Sequence, residues 1–249
     1  MISLASLTLT QIEATDFAKA VLILPTGAIE QHGPHLPVGV DALMGQVWLQ
    51  WTAPKLPDDA PVYVAPPITI GKSNEHAGYP GTLILSRTTL RRLVLAVAEE
   101  AAGLGFGALA ILNTHGGNSA VLEQTLREVQ DTHGLQAVQL RFRADFDVHS
   151  EREAQYGIHA GEGETSWLMA ATDLVDTDKR DCCWIGDVDA PGELRPEFAP
   201  ATYSWVTADV SPTGTMGDAT QATRAKGERW LDAGATGLAA EITDLLAIL

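Results

Sequence analysis

A short apolar run, Val21-Leu22-Ile23-Leu24, ends at the breakers Pro25 and Gly27. It is followed at once by Glu30-Gln31-His32-Gly33-Pro34-His35-Leu36-Pro37-Val38-Gly39-Val40-Asp41. Few architectures accommodate that juxtaposition. An apolar run this short, bounded by breakers, reads as a buried strand. Two carboxylates and two imidazoles thus fall within one twelve-residue stretch shortly after the strand's end. In α/β sheets the loops at the carboxyl ends of strands are where ligands bind, and mixed oxygen and nitrogen donors there suggest a divalent metal. The competing reading is a tight turn carrying solvated His and Glu side chains.

The remaining pattern alternates strand and helix. A weakly helical lead-in covers 1–19. Helix is expected over Asp41–Ala53, Thr88–Leu104, Ala120–Asp131 and Ser166–Ala171, and across 225–249 with a break near Gly234–Gly237. Leu90, Leu93, Val94, Val97 and Ala98 share one face of the second of these. Strands are expected at Val62–Ala65, Leu83–Leu85, Ala108–Leu112 and Leu135–Phe142. Residues 173–220, rich in Pro and Trp, read as surface excursions or an oligomer contact. Alternating elements imply an α/β fold with a mainly parallel sheet, layered as α/β/α. At 249 residues, 1–249 is read as a single domain.

Composition excludes several classes. The 32 acidic and 16 basic residues give a formal charge of −16, which argues against nucleic acid and against an anionic membrane surface as partners. There is no apolar run of eighteen residues and no signal-peptide pattern, so a cytoplasmic protein is expected. Cys182 and Cys183 are adjacent and read as reduced thiols.

Four loops collect the polar chemistry, each after a strand or before a helix. The first offers Glu30, His32, His35 and Asp41; the second Ser73, Glu75 and His76; the third His115 and Asn118; the fourth His159, Glu162 and Glu164. Five of the seven histidines lie in these loops; His133 and His149 lie elsewhere. Glu30 and His32 are two apart and point to one side of an extended chain. Asp41 opens a helix, where a carboxylate is favoured and can bridge two cations. His115 ends a strand, and Gly116-Gly117 lets backbone approach a ligand. His and carboxylate donors together fit zinc, manganese or iron better than calcium, and a metal pair activates water and polarises a carbonyl. The glycine-rich Asn113–Ser119 stretch could instead cradle a phosphate, but it lacks P-loop and dinucleotide spacing. Ser73 beside Glu75 and His76 would form a hydrolase triad only without the usual nucleophile elbow.

"LPTGAIEQHGPHLPVGVD", "SNEHAGYPGTL", "NTHGGN" and "HAGEGETS", in that order over residues 24–166, resemble the creatininase family of metal-dependent amidohydrolases. The resemblance implies a creatininase-like α/β fold and a dinuclear site, with zinc or manganese and iron as a further choice. Glu30, His32, Asp41 and His115 match ligand positions, with Asp41 bridging. Creatininase itself carries a Glu two residues after the third motif's histidine, where this chain has Gly117. The last ligand is therefore assigned to Glu164, with Glu162 as runner-up. His159 is expected to be the acid/base residue beside the metals, with Glu162 as a second catalytic candidate. Ser73, Glu75 and His76 are expected to shape the substrate side, and Asn118 to contact substrate or orient the His115 loop. No tryptophan precedes His159, which moves the expected substrate from creatinine toward a formamide, another cyclic amide or a small modified peptide. The family is often hexameric, so a homo-oligomer is implied. A metal- or ligand-binding protein without turnover is the alternative from another class.

Overall fold

The computed structural model describes residues 1–184 and 205–249. Strand β1 is Ile2–Ser3, helix α1 Leu9–Glu13, β2 Val21–Thr26, α2 Val40–Thr52, β3 Val62–Val64 and α3 Arg87–Gly103. They are followed by β4 Ala108–Asn113, α4 Ser119–His133, β5 Gln136–Gln139, α5 Glu151–Tyr156 and α6 Glu162–Ala171. The short strands β6 Cys182–Cys183 and β7 Gly217–Asp218, the short α7 Thr207–Val210 and the long α8 Arg224–Leu246 complete it. Five strands form one parallel sheet in the order β1-β3-β2-β4-β5.

The apolar run that anchors the sequence is the central strand. All six residues of β2 are buried, and each pairs with a residue of β4 from Val21↔Ala108 to Thr26↔Asn113. Side chains alternate across the sheet. Val21, Ile23, Ala108 and Ala110 pack with Met44, Trp48, Leu168 and Leu238 from α2, α6 and α8. Leu22, Leu24, Leu109 and Ile111 pack with Leu90, Val94, Leu122 and Val129 from α3 and α4. The result is the layered α/β/α body that the alternation of elements implies. From β2 the chain runs outward to β3, then crosses to β4 on the opposite side of β2. The loops after β2 and β4 therefore diverge at a topological switch point, the place where such sheets bind ligands.

Several local expectations are corrected. Helix α8 runs unbroken through Gly234 and Gly237. A Cβ on Gly234 would lie 2.6 Å from the Trp48 ring, and one on Gly237 2.6 Å from the Arg143 carbonyl oxygen. These glycines permit close approach and interrupt nothing. Leu83–Leu85 is not a strand; Leu83 makes one bridge to Ile29. Leu93 is exposed on α3, and Ala101 takes its place in the buried face. The strand expected over Leu135–Phe142 shortens to Gln136–Gln139, and the lead-in contains the edge strand β1. Of 173–220, residues 185–204 lie outside the described ones. Among the described residues no helix is long and apolar enough to cross a membrane.

Candidate metal centre

Glu30, His32, Asp41 and His115 are all buried and meet above the carboxyl ends of β2 and β4. Asp41 sits in the first turn of α2, and His115 follows β4 directly. His32 Nε2 lies 3.4 Å from Asp41 Oδ1 and 3.9 Å from Glu164 Oε2. His115 Nδ1 lies 3.2 Å from Glu30 Oε1 and 3.3 Å from Asp41 Oδ2. Glu164 reaches the cluster from the first turn of α6. Its Oε2 accepts the Ala160 N–H at 2.5 Å, and Ala160 has a positive φ of 52°. That left-handed residue sharpens the turn between His159 and α6, a conformation that costs a non-glycine residue and persists where surrounding bonds hold it.

The tautomers of the two histidines follow from their other nitrogens. His32 Nδ1 is 3.0 Å from the Glu30 carbonyl oxygen, which can only accept, so Nδ1 carries the hydrogen. His115 Nε2 is 3.2 Å from the Lys72 carbonyl oxygen and carries its hydrogen for the same reason. In its neutral form, the one that binds a metal, each ring therefore turns a bare nitrogen toward carboxylates. Glu30 Oε2, His32 Nε2 and Asp41 Oδ2 are buried without a hydrogen-bond partner. Lone pairs facing lone pairs in a buried site repel unless a positive charge lies between them. The residues present thus fit divalent cations. Electrostatics point the same way. Burial opposes a charge on His32, but Asp41 and Glu164 outweigh it and hold the ring up to about 10 in the absence of metal. Burial also opposes charge on His115, which Asp41 and Glu30 raise well above its ordinary value. Burial and the Asp41 charge raise the Glu164 carboxyl, against the opposing pull of His32.

His159 and His76 close the opposite side. His159 Nδ1 is 3.9 Å from Glu30 Oε1, and His76 Nε2 is 3.3 Å from the same oxygen. Burial, then the neighbouring His32 and His76, hold His159 well below its ordinary pKa. A cavity of about 240 Å³ reaches Asp41, His115 and Glu164 from the β5 side, walled by Trp48, Phe142 and Trp167. The Trp167 indole N–H is buried without a partner.

The other candidates stand elsewhere or act differently. Glu162 does not join the cluster. It is fully buried and accepts from the His149 N–H and Nδ1 and from Lys226 Nζ, in an ion-pair network apart from the metal donors. The catalytic role expected of it has no geometric support. Asn118 is also fully buried. Its Oδ1 accepts from Lys72 N and its Nδ2 donates to Gly27 O, so it clamps three loops and is not available to substrate. Ser73 is fully buried beside His115 Nε2 at 3.3 Å, while His76 turns to Glu30 and Gln31, so no Ser73–His76 nucleophilic pair exists. His35 faces Thr165. Glu75 lies 3.5 Å from His115 Nε2 and 3.8 Å from Lys72. Gln31, Thr207, Trp167 and His149 were not anticipated as site or supporting residues. Only Gln31 carried a signal, its place between Glu30 and His32.

The comparisons agree with this geometry. The creatininase family model, described as creatinine amidohydrolase, matches residues 5–242. The chain is 34% identical over 220 residues to the mycofactocin precursor peptide peptidase of Mycolicibacterium smegmatis, covering 84% of this chain and 78% of that one. It is 29% identical over 245 residues to the creatinine amidohydrolase of Pseudomonas putida, covering 90% and 89%. A solved mutant creatininase of Zn-Zn type is similar at TM-score 0.76 and 28% identity, over 97% of each chain. Fold, donor set and relatives together define a metal-dependent hydrolase of C–N bonds. Within that class, the chain belongs to the creatininase family.

Proposed function

We propose that this chain is an amidohydrolase with two divalent ions that cleaves a non-peptide C–N bond, in a cyclic amide or a formamide. The carrying observation is the pair of bare imidazole nitrogens, His32 Nε2 and His115 Nδ1, each facing buried carboxylates. Glu30, Asp41 and His115 would hold one ion, and His32, Asp41 and Glu164 the other, with Asp41 shared. The donor chemistry suits zinc or manganese, and the zinc form of the solved relative supports zinc. Bound there, the ions supply a water of lowered pKa and polarise the carbonyl. His159, facing Glu30, moves the proton to the leaving nitrogen. Trp48, Phe142 and Trp167 wall the cavity with aromatic surface. A volume of about 240 Å³ is below the roughly 300–1,000 Å³ of ordinary ligand pockets, which suits a small amide. The unpaired Cys182 and Cys183 support a cytoplasmic location, and the exposed Leu83 and Ile84 support a homo-oligomer.

A second reading, a peptidase of a small modified peptide, is favoured by the 34% identity to the mycofactocin precursor peptide peptidase. A panel of cyclic ureides, formamides and short peptides separates the two. Metal per chain, by elemental analysis of wild type and Asp41→Asn purified without chelator, tests the centre itself. About two equivalents in wild type and loss in the variant are expected. A wild type that retains none after incubation with zinc and manganese overturns the proposal.

A further inference from the structure

Three triads of donors lie close enough to hold an ion: Glu30–Asp41–His115, His32–His159–Glu164 and Glu30–His76–His159. They overlap, and distance alone does not choose among them. The hydrogen bonds of Gln31 do.

The argument starts at the backbone, whose donors and acceptors are fixed. The Gly33 N–H donates to Gln31 Oε1 at 2.9 Å, so that atom is the oxygen and Nε2 is the donor end of the amide. The amide donor then has two acceptors, the Gly214 carbonyl oxygen at 3.1 Å and His76 Nδ1 at 2.8 Å. His76 Nδ1 thus carries the lone pair. Thr207 Oγ1, at 2.9 Å from the same nitrogen, then also turns its hydroxyl hydrogen to it. In a neutral ring with Nδ1 bare, the hydrogen is on Nε2, where it meets Glu30 Oε1 at 3.3 Å. His159 is fixed by the main chain of the same residue. Its Nε2 lies 2.7 Å from the Gln31 carbonyl oxygen and must donate, which leaves Nδ1 bare toward Glu30. The approach of Gln31 Nε2 to His159 Nε2, at 3.1 Å, then joins two donors whose hydrogens point to other acceptors. His159 is packed between His32 and His76 with ring centroids 4.3 Å away on each side, so the ring has no room to turn over.

We infer that Gln31 is the positioning residue of this centre. Its side chain makes His76 an N–H donor to Glu30 and removes it from the set of metal ligands. Its main chain presents His159 with a bare Nδ1 toward the reacting groups. The inference rests on the proposed hydrolase reading for what His159 does, but the tautomers stand on the hydrogen bonds alone. It assigns the Glu30–His76–His159 triad as a brace and leaves Glu30–Asp41–His115 as one donor set, with His32 and Glu164 of the third triad as donors beside Asp41. It also explains why a glutamine stands between two ligands. An acidic residue there would place an acceptor against His76 Nδ1 and turn the ring's bare nitrogen onto Glu30.

The test is the tautomeric state of the histidines in ¹⁵N-histidine protein, read from long-range proton–nitrogen correlations at neutral pH, with and without zinc. In wild type, His76 and His159 are each expected as the Nε2–H form in both states. Gln31→Glu is expected to convert His76 to the Nδ1–H form. Gln31→Met, which keeps bulk without a polar group, is expected to leave His76 as a mixture while His159 keeps its form, because the main-chain acceptor remains. An Nδ1–H form of either ring in wild type overturns the inference, as does a His76 unchanged in both variants. Zinc per chain on the same samples separates the two readings. If wild type binds no zinc but shows both Nε2–H forms, the hydrolase reading fails and the assignment of Gln31 holds.

Discussion

Gly117 has no side chain, and the carboxylate of Glu75 fills the place where one would begin. A Cβ at 117 would fall on Glu75 Oε1, and would lie 2.5 Å from both His115 Nε2 and the Lys72 carbonyl oxygen. The loops after β3 and β4 are therefore interlocked around a missing side chain. Gly117→Ala should expel Glu75 and press on a ring and a carbonyl that cannot give way. We expect a loss of about 1–3 kcal/mol in stability, the usual range for overpacking, together with lower zinc content. Chemical denaturation and elemental analysis check both, and unchanged values for the two would break the interlock argument.

His159→Ala should leave metal content intact while lowering turnover by roughly 10²–10⁴, the usual contribution of a positioned acid or base. The comparison is zinc per chain beside kcat on whichever panel substrate is hydrolysed. Equal loss of metal and activity would make His159 a ligand instead.

Glu162→Ala should also leave metal content intact, and its cost should fall on stability. The carboxylate is fully buried and accepts from His149 and Lys226. Its removal strands those donors, at a cost of about 2–3 kcal/mol, moderated because Lys226 is partly exposed. Zinc per chain should not change. A stable variant that has lost metal would move Glu162 into the centre.

His35 offers a pH signature. Burial, with the nearby His32 charge adding, lowers its pKa to about 4 from an ordinary 6.5. The unfolded chain takes up the proton near 6.5, while the folded protein does not until about 4. Between those values the unfolded state holds one more proton, so stability falls as pH drops through that window, by up to about 3 kcal/mol. Denaturation midpoints across pH 4–7 for wild type and His35→Asn, both metal-free, should show a slope that the variant lacks. Parallel slopes would remove His35 as the cause.

Much of this was legible in the sequence because the donors follow strand ends. Val21–Leu24 reads as a buried strand, and Glu30, His32, Asp41 and His115 then fall at the carboxyl ends of strands in a parallel sheet. Glu162 and Glu164 show a limit that helix geometry could have lifted. Two residues apart at about 100° each, they face nearly opposite sides of α6, so only one could reach the centre. Gly234 and Gly237 read as a break because a glycine that admits Trp48 and one that ends a helix look alike in one chain. Thr207 and His149 act through contacts 131 and 13 residues away, with no local pattern to announce them. Leu93 fits the apolar period of α3 and yet faces outward, while Leu90, Val94, Ala98 and Ala101 form the buried stripe.

The close seating of α8 against Trp48 has a bearing on how the protein comes into being. Trp48 lies on the helix that carries Asp41, and α8 also packs on α6, which carries Glu164. Every donor of the centre therefore leaves the ribosome before the helix that fixes two of their supports. Until α8 docks, the nascent chain holds a half-built acidic nest with no firm floor, so cation capture and the final step of folding are expected to arrive together.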